Sequence, residues 1–190
     1  MPEETAQLRA AAKGALAAEW LAPSKARVAG LLGDAPEACA QLRAAAHVRP
    51  FERVVVFARD TQAAARCAAQ IGAELGLDGE IMTNAMALVG SCDFVVGAPA
   101  ELRADWLHRG LHVTLVGDAG EIDPQVLERV DLVVGEAGVA FDDVIGGAAE
   151  GRRGEADITL CDFSGAGEQA LIPSAKVARM MGEMAAKIGQ

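Results

Sequence analysis

Six consecutive residues, Gly33-Asp34-Ala35-Pro36-Glu37-Ala38, close the apolar run Arg27–Leu32 (RVAGLL) and open an Ala-rich stretch. A glycine turn between a buried strand and a helix presents backbone N–H groups, and the positive end of the helix, to a phosphate. Against the dinucleotide spacing G-x-G-x-x-G/A the first glycine and the terminal alanine match, while Ala35 replaces the middle glycine. A Cβ there stands where a pyrophosphate comes closest to the chain. Pro36 withholds an N–H, and Asp34 and Glu37 place negative charge beside any phosphate. The loop is therefore either a tolerant dinucleotide site, with Gly33, Asp34, Ala35 and Ala38 as its contacts, or a scaffold turn whose phosphate site has decayed. The next apolar run, Arg53–Phe57 (RVVVF), ends in Ala58-Arg59-Asp60. An acid at that strand end would hold ribose hydroxyls; Ala58 takes the place, and Arg59 suits the 2′-phosphate of NADP better. The plainer reading is a solvated Arg59 and an Asp60 that caps the following helix.

Other chemistry is thinner. His112 lies inside an apolar run and reads as a core or sheet-edge histidine, while His47 and His108 read as solvated caps near helix ends. Cys39, Cys67, Cys92 and Cys161 are widely spaced, with no C-x-x-C and no adjacent His, which speaks against structural zinc and against a disulfide framework. No metal site is expected.

The elements that must position these residues alternate along the chain. Ala-rich helices are expected over Leu8–Leu21, Glu37–Ala46 and Thr61–Leu75, with shorter ones at Ala85–Val89 and Pro124–Arg129 and a last one over Glu168–Lys187. Strands are expected at Arg27–Leu32, Arg53–Phe57, Glu80–Thr83, Phe94–Val96, His112–Val116, Leu132–Val134 and Asp157–Cys161. Residues 135–155 read as an irregular surface excursion. Strands apolar throughout and separated by helices imply a sheet covered on both faces. The expected fold is α/β: one doubly wound, mostly parallel, Rossmann-like domain over residues 1–190. Its 190 residues and 52% hydrophobic content give it a full core, and with aromatics at only 4% that core must be Ala, Val, Leu and Ile. Seventeen Lys and Arg face 27 Asp and Glu, so the net charge of −10 argues against nucleic acid or an anionic membrane as partner. An acidic start (MPEETAQ) and the lack of a ~20-residue apolar run suit a cytoplasmic protein.

Several stretches together resemble the ornithine cyclodeaminase/mu-crystallin family. Arg9-Ala10-Ala11-Ala12-Lys13-Gly14-Ala15-Leu16-Ala17 is similar to the family's R-T-A-A-x-S-A-L-A on the helix entering the Rossmann domain. The glycine loop runs on through Ala38-Cys39-Ala40-Gln41-Leu42, where the family has A-R-x-Q-L, and Val48-Arg49-Pro50-Phe51-Glu52-Arg53-Val54 resembles V-R-P-I-E-x-V. Asp93 to Ala100 (DFVVGAPA) stands where the family carries A-D, an apolar run and T-A-T-P. Trp106 to Asp118 (WLHRGLHVTLVGD), Glu121 to Leu127 (EIDPQVL) and Ile158 to Gly165 (ITLCDFSG) match further family segments in order.

The resemblance implies an NAD- or NADP-dependent oxidoreductase or cyclodeaminase that moves hydride at a carbon next to nitrogen in amino or imino acids. It places the arginine that grips the substrate carboxylate at Arg9, the acid that handles the proton at nitrogen at Asp118, and a cofactor contact at Ala98. It also implies departures: the family's N-terminal third, which carries the dimer interface, a lysine and much of the substrate pocket, has no counterpart, and hydroxyls of the entering helix have become Ala10 and Gly14. Two readings follow. One is a dinucleotide-binding domain that binds a small molecule and is active, if at all, as a homo-oligomer or with a partner chain supplying the missing domain. The other is a non-catalytic binding or assembly module. Self-association is expected through Leu8, Leu16 and Leu21 at one end and Met180, Met181 and Met184 at the other, unless those side chains pack on the sheet.

Overall fold

The computed structural model describes residues 2–98, 102–117, 120–164 and 175–188. In chain order the elements are α1 (Pro2–Leu21), β1 (Val28–Leu32), α2 (Pro36–Ala45), β2 (Arg53–Phe57), α3 (Thr61–Leu75), β3 (Asp78–Ile81), α4 (Ala85–Ser91), β4 (Phe94–Gly97), β5 (His112–Leu115), α5 (Pro124–Arg129), β6 (Leu132–Val134), α6 (Phe141–Gly146), β7 (Thr159–Asp162) and α7 (Ala175–Ile188). Seven strands form one sheet in the order β3-β2-β1-β4-β5-β7-β6, every pair parallel. The expected doubly wound α/β architecture is present.

Alternation along each strand explains the two cores. Val54 and Val56 of β2, with Leu31 and Phe94, meet the helices α1, α2, α3 and α6, whereas Val55, Val95 and Leu115 meet α4 and α5 on the opposite face. Both sides of each central strand are therefore dry, which is why RVVVF shows no polar alternation. Ala-rich helices suit this layering because small side chains let backbones approach. At Gly14 of α1 an added Cβ would lie 2.6 Å from the Gln41 Cβ and 2.7 Å from its Cα. That contact seats α1 directly on α2.

Several expected boundaries move. β3 runs over Asp78–Ile81 rather than Glu80–Thr83, because α3 ends at Gly76 in the left-handed region (φ 67°) and the chain re-enters the sheet at once, pairing Asp78 with Arg53. The excursion at 135–155 is not irregular throughout: α6 buries Phe141, Val144 and Ile145. Two leading acids and a six-residue length hid its apolar side. β7 starts at Thr159, two residues after the expected Asp157. Residues 168–174 of the expected last helix lie outside the described residues, and α7 begins at Ala175.

The edge where strands begin is locked by polar groups. His112, fully buried at the start of β5, has Nδ1 2.8 Å from the Thr159 hydroxyl and Nε2 3.0 Å from the Thr114 hydroxyl. Thr159 donates to the Leu21 carbonyl (2.7 Å), so α1 ends on this node. His112 is thus a core histidine. His108 is no solvated cap, since its Nε2 lies 3.1 Å from the carbonyls of Val89 and Cys92 at the end of α4. The apolar residues expected at a self-association face are partly spent inside the chain: Leu16, Leu21 and Met180 are buried, and Leu8 and Met181 pack against the same core. Of Met184 only the backbone is described. No helix among the described residues is long and apolar enough to cross a membrane.

Two outcomes follow for stability. Gly14→Ala should lower it by ~1–3 kcal/mol through overpacking against α2, although alanine favours an isolated helix by about 1 kcal/mol; an unchanged or raised midpoint in chemical denaturation would contradict the tight contact. Burial, reinforced by the Arg152 and Arg49 charges, holds His112 well below the ordinary imidazole range. The unfolded chain takes a proton there as pH falls through ~6.5 and the folded chain does not, so stability begins to fall about one unit above that value, keeps falling below it, and is flat at higher pH. The melting temperature should accordingly decline between about pH 7.5 and 5.5, and His112→Gln should flatten that slope.

Candidate functional site

Register aligns the carboxyl ends of the central strands. Leu32 of β1 pairs with Phe57 of β2 on one side and with Gly97 of β4 on the other, while Gly97 pairs with Leu115 and Leu115 with Asp162. Ala58, Gly33, Ala98, Val116 and Phe163 therefore follow one another across a single edge. Between β1 and β4 the chain order reverses, because α2 and α3 cover one face and α4 the other. Such a switch point opens a crevice at the carboxyl edge.

The turn leaving β1 meets its backbone requirements with one glycine. Gly33 takes φ 106°, a region that disfavours side chains, and its N–H donates to the Phe57 carbonyl at 2.7 Å. Ala35, the N-cap of α2, has φ −60° and ψ 132°, an ordinary extended conformation open to any residue, and its side chain caps nothing. The first helical bond runs from the Cys39 N–H to the Ala35 carbonyl at 3.0 Å. The N–H groups of Glu37 and Ala38 thus lie in the first turn without helical partners. Residues 34–37 are exposed and Ala38 is buried. Donors for an anion are present, with two carboxylates beside them.

The remaining sequence-predicted positions are distributed as follows. Arg59 is exposed just past β2. Asp60 caps α3, accepting from the Gln62 N–H at 2.8 Å, so one carboxylate oxygen is already engaged. Ala98 is half-buried directly beyond β4, beside Gly33. Arg9 is half-buried on α1. Asp118 lies outside the described residues, one position past Gly117. The edge thus brings together the loop, the Arg59-Asp60 turn and Ala98.

Lys13, one turn beyond Arg9, was missed. Its Nζ stands 5.5 Å from the centroid of the Phe163 ring, at the end of β7. Burial lowers its pKa, Glu37 opposes that and Arg9 adds to it, which places α1's two cations at the same end of the sheet as the loop. Only the four-residue spacing from Arg9 could have signalled it.

Family membership rests on the order of these segments as well as on the fold. The sequence pattern of the ornithine cyclodeaminase/mu-crystallin family matches residues 3–142. The chain belongs to that family. An uncharacterized cyclodeaminase of Sinorhizobium fredii is 34% identical over 194 residues, covering 85% of this chain and 59% of its own length. The iminosuccinate reductase of Paracoccus denitrificans is 28% identical over 193 residues, covering 86% of this chain and 60% of itself. Its crystal structure in complex with NAD+ superposes with a TM-score of 0.69 at 27% identity, over 96% of this chain and 64% of that one. The Δ1-pyrroline-2-carboxylate reductase of Thermococcus litoralis, solved with NADH and L-proline, shares the fold at a TM-score of 0.76 and 23% identity, over 97% and 66% of the two chains. The chain thus spans about three-fifths of the length of these family members.

Proposed function

We propose that this chain is the dinucleotide-binding part of an oxidoreductase acting on a small amino or imino acid, and that it binds NAD or NADP weakly. The observation that carries the reading is the Gly33 turn, set at the switch point and leading into an α2 N-terminus with exposed, uncapped donors. The family relatives named as a cyclodeaminase and an iminosuccinate reductase support the chemistry, and the NAD+ complex of the latter supports the cofactor class. In this reading Gly33, Asp34, Ala35 and Ala38 border the pyrophosphate, Arg59 and Asp60 the adenosine ribose, and Ala98 the far half of the cofactor. The bound nicotinamide supplies or accepts the hydride. Arg9 takes the substrate carboxylate, a task its planar fork suits, and Asp118 holds the proton at the substrate nitrogen.

In this proposal residues 1–190 of one copy form the cofactor side of the pocket and only part of its substrate side, and taken alone they turn over no substrate appreciably. A non-catalytic reading is favoured by the charge of the loop: exposed Asp34 and Glu37 repel a phosphate, and Pro36 withholds a donor.

Calorimetric titration with NADH and NADPH separates the two. A unit charge in solvent-exposed reach of a phosphate costs about 1 kcal/mol, so Ala35→Gly with Asp34→Thr should tighten binding at least about fivefold. Arg59→Ala should weaken NADPH more than NADH. Absence of binding of either nucleotide to the double variant would leave the non-catalytic reading standing.

A further inference from the structure

On the face of the sheet that α2 and α3 share, two thiols far apart in sequence meet. Cys39 of α2 and Cys67 of α3 have their sulfurs 3.6 Å apart and unbonded. Cys39 is 7% exposed and Cys67 half-buried. Both line a groove of ≈480 Å³ between the two helices, together with Asp34, Arg43, Arg66 and Gln70. Alanines surround them on both helices and would serve as well for packing, so the sulfurs' pairing calls for chemistry. The other two cysteines contrast with them: Cys92 is buried beside the Ser91 hydroxyl and Cys161 is buried within β7.

We infer that Cys39 and Cys67 form a reversible intramolecular disulfide when a hydroperoxide enters the groove between α2 and α3. The Cys39 thiolate attacks one peroxide oxygen, the O–O bond breaks, and the departing oxygen takes a proton and leaves as an alcohol or water. Cys39 is then a sulfenic acid, oxidised by two electrons. The Cys67 sulfur attacks the Cys39 sulfur, the S–O bond breaks, and the hydroxide leaves as water with the Cys67 proton. A dithiol reductant reverses the change by giving two electrons and two protons to the Cys39–Cys67 bond, and is itself oxidised to a disulfide.

Geometry leaves little to move. A disulfide needs its sulfurs at about 2.05 Å, and from 3.6 Å the two have about 1.5 Å to close. The charges favour Cys39 as the attacking sulfur: the contact with the Cys67 sulfur and the Arg43 guanidinium of α2 lower its pKa, while burial and Asp34 oppose. The same contact, with burial, raises the pKa of the Cys67 thiol. Burial raises Cys92 to about 12 and raises Cys161 as well, leaving both unreactive. Cys39 lies in the first turn of α2, so the bond would tie that turn to α3. Any effect on nucleotide affinity rests on the dinucleotide reading; the bond itself does not.

The full chain is exposed to one equivalent of hydrogen peroxide, blocked with N-ethylmaleimide and digested without reduction after Arg and Glu. Fragments 38–43 and 67–74, which separate Cys39 and Cys67 from the other cysteines, should be recovered joined and lighter by two hydrogens, and dithiothreitol should release them. In Cys67→Ser, oxidation should stop at a sulfenic acid on Cys39, captured by dimedone. Separate recovery of both blocked fragments, or oxidation of Cys92 or Cys161 as fast as Cys39, would overturn the proposal. So would a disulfide that forms only between chains.

Discussion

Arg152 ties together the parts of the chain on which the site depends. Its Nε donates to the Leu21 carbonyl at 2.6 Å, one Nη to the Asp157 carbonyl at 2.7 Å, and the other to the Leu111 carbonyl and the Thr159 hydroxyl, both at 3.1 Å. The last carbonyls of a helix have no internal donors, and here a guanidinium and a threonine hydroxyl answer the final one of α1. Burial lowers the Arg152 pKa, while the neighbouring Asp157 and Glu155 oppose that. With its C-terminus pinned where β5 and β7 begin, α1 can run in only one direction across the sheet. Twelve residues of helix from Leu21 back to Arg9 cover about 18 Å, against about 15 Å for a strand of four or five residues. Arg9 and Lys13 are thereby delivered to the carboxyl edge by a contact made at the opposite one.

The packing of α1 extracts a price elsewhere. Glycine at position 14 lets α2 press against it, and the Gln41 carboxamide that results is fully buried with neither its nitrogen nor its oxygen hydrogen-bonded among the described residues. Family resemblance places a serine at position 14, so the same substitution that closes the helices also removes a hydroxyl from beside a buried amide. An unanswered polar group of this kind costs about 1–3 kcal/mol. Close approach and polar satisfaction are in conflict at this point, and close approach has prevailed.

What the chain disclosed before folding follows from which forces are local. Runs such as RVVVF and the cap Asp60 act within a few residues, and both stand where expected. The insertion of β7 between β5 and β6 is set by long-range pairing, which periodicity does not record. α6 escaped because its helical signal is six residues long and begins with acids. Within the site, the loop was legible as a pattern, whereas the nearness of Lys13 to Phe163, and of Cys39 to Cys67 across 28 positions, exists only once α1, α2 and α3 are laid side by side. The same long-range packing decides between the two fates open to Leu16, Leu21 and Met180, which are buried within the chain where α7 packs on α1.

The loop itself separates what the fold requires from what a ligand requires. Only Gly33 has a conformation that calls for glycine; Ala35, at φ −60°, is unstrained. The missing second glycine therefore carries no folding penalty, and its whole effect falls on whatever approaches the turn. The same holds for the acids. Asp34 and Glu37 are exposed, and Glu37 in the first turn of α2 favours the helix by ~0.3–1 kcal/mol through its dipole while also facing Lys13. In a chain built around a pyrophosphate, the ligand supplies that negative charge. Here a side chain supplies it permanently, and a dinucleotide must add its charge to an end already faced by carboxylates.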